Sequence, residues 1–96
     1  MKEVQVLGVE NEELKIALSG DIDVGNADEF FAVVETAYAA EKKTIAFDCQ
    51  QLSFIDSTTL GVFVKITKLT EADGNKVRLL GLQARIKKLF TICALG

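Results

Sequence analysis

Ser53-Phe54-Ile55-Asp56-Ser57-Thr58-Thr59-Leu60-Gly61 is the stretch on which the reading of this chain turns. An apolar, strand-like approach ends in an acid, three hydroxyls follow, and an apolar helical pattern begins. The first turn of a helix presents N–H groups without intrahelical partners and the positive end of the aligned peptide dipoles. A phosphate added to a hydroxyl there is held without unfolding the helix. The segment is therefore a candidate switch as well as a strand-to-helix junction.

Working upstream, Thr44-Ile45-Ala46-Phe47-Asp48-Cys49 is β-branched and largely apolar and predicts a short central strand, leading through a loop over 50–55 to the hydroxyls. Asn26 followed by Glu29 has the spacing of a capping box, and Phe30, Val33, Val34 and Ala37 line one face of the helix it would open. Glu41-Lys42-Lys43 ends that helix. Val4 and Val6, then Leu14, Ile16 and Leu18, alternate with polar residues around Glu10-Asn11-Glu12-Glu13, which predicts a hairpin of two half-buried strands. The segment from Ser19 to Gly25, with two glycines and the acids Asp21 and Asp23, reads as a loop.

Downstream, Leu60, Val62, Phe63, Val64, Ile66 and Leu69 are too dense for one exposed stripe and predict a mostly buried helix beginning near Ser57. Asp73-Gly74-Asn75 is a turn, Val77, Leu79 and Leu80 a strand ended by Gly81, and Ile86, Leu89, Phe90 and Cys93 one face of a last helix. The order strand, strand, helix, strand, helix, strand, helix implies right-handed crossovers and a sheet that is parallel after its opening hairpin.

With 96 residues, 49% hydrophobic and 26% charged, the chain reads as one compact α/β domain over 1–96. Its stability margin is on the order of 5–10 kcal/mol. A formal charge of −3 gives no attraction to nucleic acid or to anionic membrane surfaces. No secretory leader pattern and no apolar run of about 18 residues is present, so a soluble cytoplasmic protein is expected. The chain has no His, which removes Ser-His and Cys-His nucleophilic schemes and the commonest transition-metal ligand. Cys49 and Cys93 lack paired CxxC spacing and read as small buried hydrophobes in a reducing compartment. No metal, no cofactor and no enzymatic activity is expected.

The residues alone leave three readings of the hydroxyl cluster. Asp56 or Ser57 is an N-cap worth roughly 1 kcal/mol, with Thr58 and Thr59 as ordinary first-turn residues. Alternatively Ser57 is a nucleophile activated by Asp56, although a carboxylate titrating near ~4 is a poor base for a hydroxyl near ~13. In the third reading Ser57 is a phosphoacceptor whose added charge alters a binding surface.

Leu52-Ser53-Phe54-Ile55-Asp56-Ser57-Thr58-Thr59-Leu60-Gly61 resembles the signature of the STAS-domain anti-sigma factor antagonists, in which a phosphorylatable Ser follows an Asp. Gly20-Asp21-Ile22-Asp23 is similar to that family's Gly-acid-apolar-Asp loop, and Arg85-Ile86-Lys87-Lys88-Leu89-Phe90 to its last core helix. The resemblance runs over almost the whole chain, in the family's order. It implies a single STAS-like domain, a mixed sheet of about four strands with helices packed mainly on one face.

It also implies partner switching. The unphosphorylated protein binds an anti-sigma factor that is itself a serine kinase and frees a sigma factor; phosphorylation at Ser57, with Thr58 as the alternative acceptor, releases it, and a serine phosphatase resets the cycle. The partner surface carried over by the resemblance comprises Asp23, Asp56, Ser57, Thr58, Thr59 and Gly61. Asp23 reads equally as a loop-capping acid, and Gly61 as a residue needed for close helix packing. Two departures stand out: Thr59 takes the place of the family's usual Gly, and the chain stops at Leu95-Gly96 where many relatives continue into another strand and helix. These departures favour a second reading, a STAS scaffold without phosphoswitching, as in a signalling assembly or a lipid transporter.

Overall fold

A computed structural model of the protein describes residues 1–92. The expectations for Cys93 and for the end of the chain at Leu95-Gly96 lie outside the described residues. Seven elements follow in the order β1 (Val4–Glu10), β2 (Glu13–Ile22), α1 (Ala27–Ala40), β3 (Thr44–Ile55), α2 (Ser57–Glu71), β4 (Val77–Leu80) and α3 (Ala84–Ile92). The strands form one sheet in the order β1-β2-β3-β4. β1 and β2 are antiparallel, whereas β2 with β3 and β3 with β4 are parallel. The mixed α/β sheet is the expected one.

The hairpin turns at Asn11 and Glu12, both with positive φ (53° and 65°), the backbone twist that a two-residue connection between antiparallel strands demands. Beyond the hairpin, β2 and β3 are both longer than their sequences predict. Ser19-Gly20-Asp21 reads as loop because Gly and Asp are poor strand formers, and Gln50-Gln51 interrupts the apolar run of β3. In the fold each segment supplies the other's hydrogen-bonding partner: Ser19 pairs with Gln51, Gly20 with Leu52, Asp21 with Phe54 and Ile22 with Ile55. Register breaks between Ala17 and Ser19 and between Gly20 and Asp21 absorb the mismatch, and Gly20 takes the left-handed φ of 66° that a side chain resists.

The capping box at α1 does not form. Asn26 precedes the helix, but its side chain makes no cap hydrogen bond. Its Oδ1 instead accepts from the Asp23 N–H (2.8 Å) and its Nδ2 donates to the Asp21 carbonyl (3.0 Å), so Asn26 braces the turn out of β2. The acids Asp28 and Glu29 still sit in the first turn, where they complement the dipole.

All three helices contribute to a single core with the same sheet face. Leu14, Ile16, Leu18, Ile45 and Phe47 are buried there with Phe30, Val34, Phe63, Ile66, Ile86 and Phe90. Phe63 is the centre of the aromatic part, with ring centroids 5.3 Å from Phe30, 5.5 Å from Phe47 and 5.2 Å from Phe90, all edge to face. The other sheet face carries Lys15, Asp48, Gln50 and Arg78, none of them buried. There Arg78 of β4 reaches across β3 to donate to both carboxylate oxygens of Glu13 (2.7 and 2.6 Å). Arg78, and then Lys15, hold the Glu13 carboxyl below the usual range. Tyr38, which the α1 pattern did not single out, is buried, donates to Asp73 (2.8 Å) and accepts from Asn75 (2.9 Å), fastening α1 to the turn before β4.

Candidate functional site

Parallel pairing of Ile22 with Ile55 brings β2 and β3 to an end side by side. The chain leaves β2 into the Asp23–Asn26 turn and leaves β3 through Asp56 into α2, so two segments far apart in sequence share one end of the sheet. The C-terminal ends of parallel strands are where open α/β sheets place their binding sites.

Asp56 is the N-cap of α2, with extended backbone (φ −116°, ψ −176°), and one carboxylate oxygen accepts from the Thr59 N–H at 2.9 Å. The capping reading of the hydroxyl cluster is thus realised by Asp56 and leaves Ser57 as the first helical residue. The other oxygen does something the cap does not require: it accepts from the N–H of Val24, across the gap to the β2–α1 turn, at 2.8 Å. The Thr59 N–H above all, with the Val24 N–H behind it, holds Asp56 below the usual carboxylate range against the opposing effect of desolvation.

A lowered folded-state pKa means that this contribution to stability is present above the ordinary carboxylate pKa of about 4 and is lost as pH falls through the lower folded value. In urea titrations from pH 7 to pH 3, wild type is therefore expected to lose more stability than Asp56→Asn over the acid end; parallel pH profiles for the two proteins would contradict the assignment.

The three hydroxyls have different fates. Ser57 and Thr58 are exposed, whereas Thr59 is fully buried. The Thr59 hydroxyl donates to the Ile22 carbonyl oxygen at 2.6 Å and lies 3.0 Å from Asp56 Oδ1. Thr59 therefore belongs to the site from beneath and presents no side chain to a partner. The sequence marks it only as a β-branched residue in an unexpected place.

Asp23 is half-buried and closes its own turn: Oδ1 accepts from the Gly25 N–H (2.9 Å) and its carbonyl from the N–H groups of Asn26 (3.1 Å) and Ala27 (2.8 Å). The loop-capping role is thus present in the geometry. Val24, next to it, is 74% exposed and forms the tip. On α2, Gly61 lies four residues beyond Ser57, on the same helical face. A Cβ at Gly61 would meet nothing within 4 Å, and its φ is not in the left-handed region, so close helix packing does not explain the glycine. Beside the site, Arg85 donates to the Ser53 carbonyl (2.6 Å) and anchors the start of α3 to the end of β3.

The other chemistry-bearing groups lie elsewhere or are unreactive. Cys49 is buried, and burial pushes its thiol up to about 12. Among the described residues no cluster of three or more His, Cys, Asp and Glu side chains is arranged to hold a metal ion, and no helix is long and apolar enough to cross a membrane.

Comparison with known proteins bears on the family and the fold. The family model described as the STAS domain matches residues 4–96. The anti-sigma-B factor antagonist of Listeria monocytogenes is 28% identical over 93 residues, covering 97% of this chain and 82% of that protein. Among solved structures, the anti-sigma factor antagonist SpoIIAA in its unphosphorylated form matches with a TM-score of 0.77 at 27% identity, over 93% of this chain and 82% of that one. The Bacillus cell fate determinant SpoIIAA in its phosphorylated form matches with a TM-score of 0.77 at 28% identity, over 97% of this chain and 85% of that one.

Proposed function

The chain belongs to the STAS-domain family, and we propose that within it this protein is an anti-sigma factor antagonist controlled by phosphorylation of Ser57. In this reading the unphosphorylated protein binds an anti-sigma factor that is also a serine kinase, through the surface formed by Asp23, Asp56, Ser57, Thr58 and Gly61 with Thr59 beneath it. Phosphate on Ser57 ends the complex, and a serine phosphatase restores it.

The observation that carries the proposal is the exposure of Ser57 at the first position of a helix whose cap is already supplied by Asp56. Among the described residues its hydroxyl takes no part in the hydrogen bonds that occupy Asp56 and Thr59. A phosphate there gains from the N–H groups and dipole of α2, so the fold tolerates it. It also adds about −1.5 to −2 charges beside Asp56, so a partner that fits the uncharged surface is repelled. The curated relatives named as antagonists, and a structural relative solved in both phosphorylation states, support the same reading.

The test is mass spectrometry after incubation with ATP and the anti-sigma factor kinase of the same organism. One phosphate on Ser57, absent from Ser57→Ala and retained in Thr58→Ala, is the expected result. Binding without phosphate transfer would favour the scaffold reading, and absence of binding would remove the partner class.

Gly61 supplies an independent check. A mid-helix glycine costs roughly 0.5–1 kcal/mol relative to alanine, and here nothing in the fold requires it. Gly61→Ala is expected to raise the thermal midpoint while weakening binding to the anti-sigma factor, because the added methyl stands where the partner approaches the helix. Unchanged affinity in a stabilised variant would take Gly61 out of the interface.

A further inference from the structure

Two segments make up the proposed surface, the Asp23–Gly25 turn and the start of α2, and the Val24 side chain at the tip of the first is 74% exposed. What joins them is a small hydrogen-bonded unit centred on Thr59. Its hydroxyl holds the Ile22 carbonyl (2.6 Å), its N–H holds Asp56 Oδ1 (2.9 Å), and Asp56 Oδ2 holds the Val24 N–H (2.8 Å). Thr59 is wholly buried, so neither its hydroxyl nor the group it satisfies can turn to water instead. A glycine at this position would offer no hydroxyl, and the β2–α1 turn would be tied to α2 through Asp56 alone.

We infer that Thr59 is a positioning residue: it latches the Val24 tip to the start of α2, so that the anti-sigma factor kinase meets one preorganised surface in place of two independently moving segments. The inference rests on the function proposed above. Preorganisation acts by removing the ordering cost of association, so losing the latch weakens recognition without touching the phosphoacceptor itself. A loss of binding that is uniform between ground and transition states raises KM and leaves kcat in place.

The experiment compares wild type with Thr59→Val, which keeps the shape and removes the hydroxyl, and with Thr59→Ser, which keeps the hydroxyl. Amide exchange is read at Val24, with Phe47 in the centre of β3 as the control for global stability, and phosphorylation of Ser57 is followed over a range of antagonist concentrations. In Thr59→Val the Val24 amide is expected to exchange about three- to tenfold faster, the scale of one lost buried hydrogen bond, and KM to rise by a similar factor at nearly constant kcat. Thr59→Ser restores both.

Unchanged Val24 exchange in Thr59→Val would overturn the latch. A loosened turn with unchanged KM would overturn its part in recognition. Failure of wild type itself to accept phosphate is a different result, which sinks the proposed function and takes this inference with it.

Discussion

Ser57→Asp is expected to bind the anti-sigma factor roughly 5- to 150-fold more weakly than wild type, the span of 1–3 kcal/mol that biological switches use. Ser57→Ala should bind as wild type does and resist release by ATP. The direction follows from where the charge is placed. Ser57 is exposed at the first helical position, and Asp56 beside it stays ionised because the N–H groups of Thr59 and Val24 hold its carboxylate. A second negative charge therefore adds to an existing one at the interface, while the dipole of α2 keeps the cost to the folded protein small. Calorimetric titration of the two variants against the anti-sigma factor, with their urea midpoints as controls, separates interface repulsion from unfolding. Equal affinities for wild type and Ser57→Asp would contradict the switch.

The largest effect on stability is expected at Phe63. Phe63→Ala should cost about 3–5 kcal/mol, a large part of a total of ~5–10 kcal/mol for a domain of this size. Phe63 is buried, and its ring contacts those of Phe30 from α1, Phe47 from β3 and Phe90 from α3. Truncation removes the side chain at which all the layers meet and leaves a cavity that elements fixed by their own hydrogen bonds fill only in part. Phe63→Leu, which keeps most of the volume, should lose clearly less. Because Phe63 holds α2 to the sheet, Phe63→Ala should also loosen the helix whose first turn carries Ser57. A urea midpoint within the range of a surface substitution, about ±0.5 kcal/mol, would mean that Phe63 is not the keystone of this core.

What the sequence by itself determined has its cause within a few residues. Alternation around Glu10–Glu13 sufficed for the hairpin, the dense apolar run from Leu60 for a buried α2, and an acid followed by hydroxyls for a helix beginning at Ser57. The Leu52–Gly61 signature carried the family, and with it the architecture that the sheet order and the STAS-domain match bear out. Only the tertiary structure decided the features that depend on a distant partner. Ser19–Ile22 and Gln50–Ile55 are strand because each supplies the other's hydrogen bonds. Asn26 is the local exception: it forgoes its cap for the carbonyl of Asp21 and the N–H of Asp23, neighbours whose direction is set by where β2 ends. Thr59 is buried, and Asp56 reaches Val24, because parallel pairing of Ile22 with Ile55 sets two loops beside one another that no local pattern connects. Periodicity and capping are properties of neighbours along the chain, whereas strand pairing draws its energy from contacts across it. A candidate phosphoacceptor could therefore be read from the residues around it and the surface proposed for it from the family resemblance, whereas the hydrogen bonds that join its two segments could not.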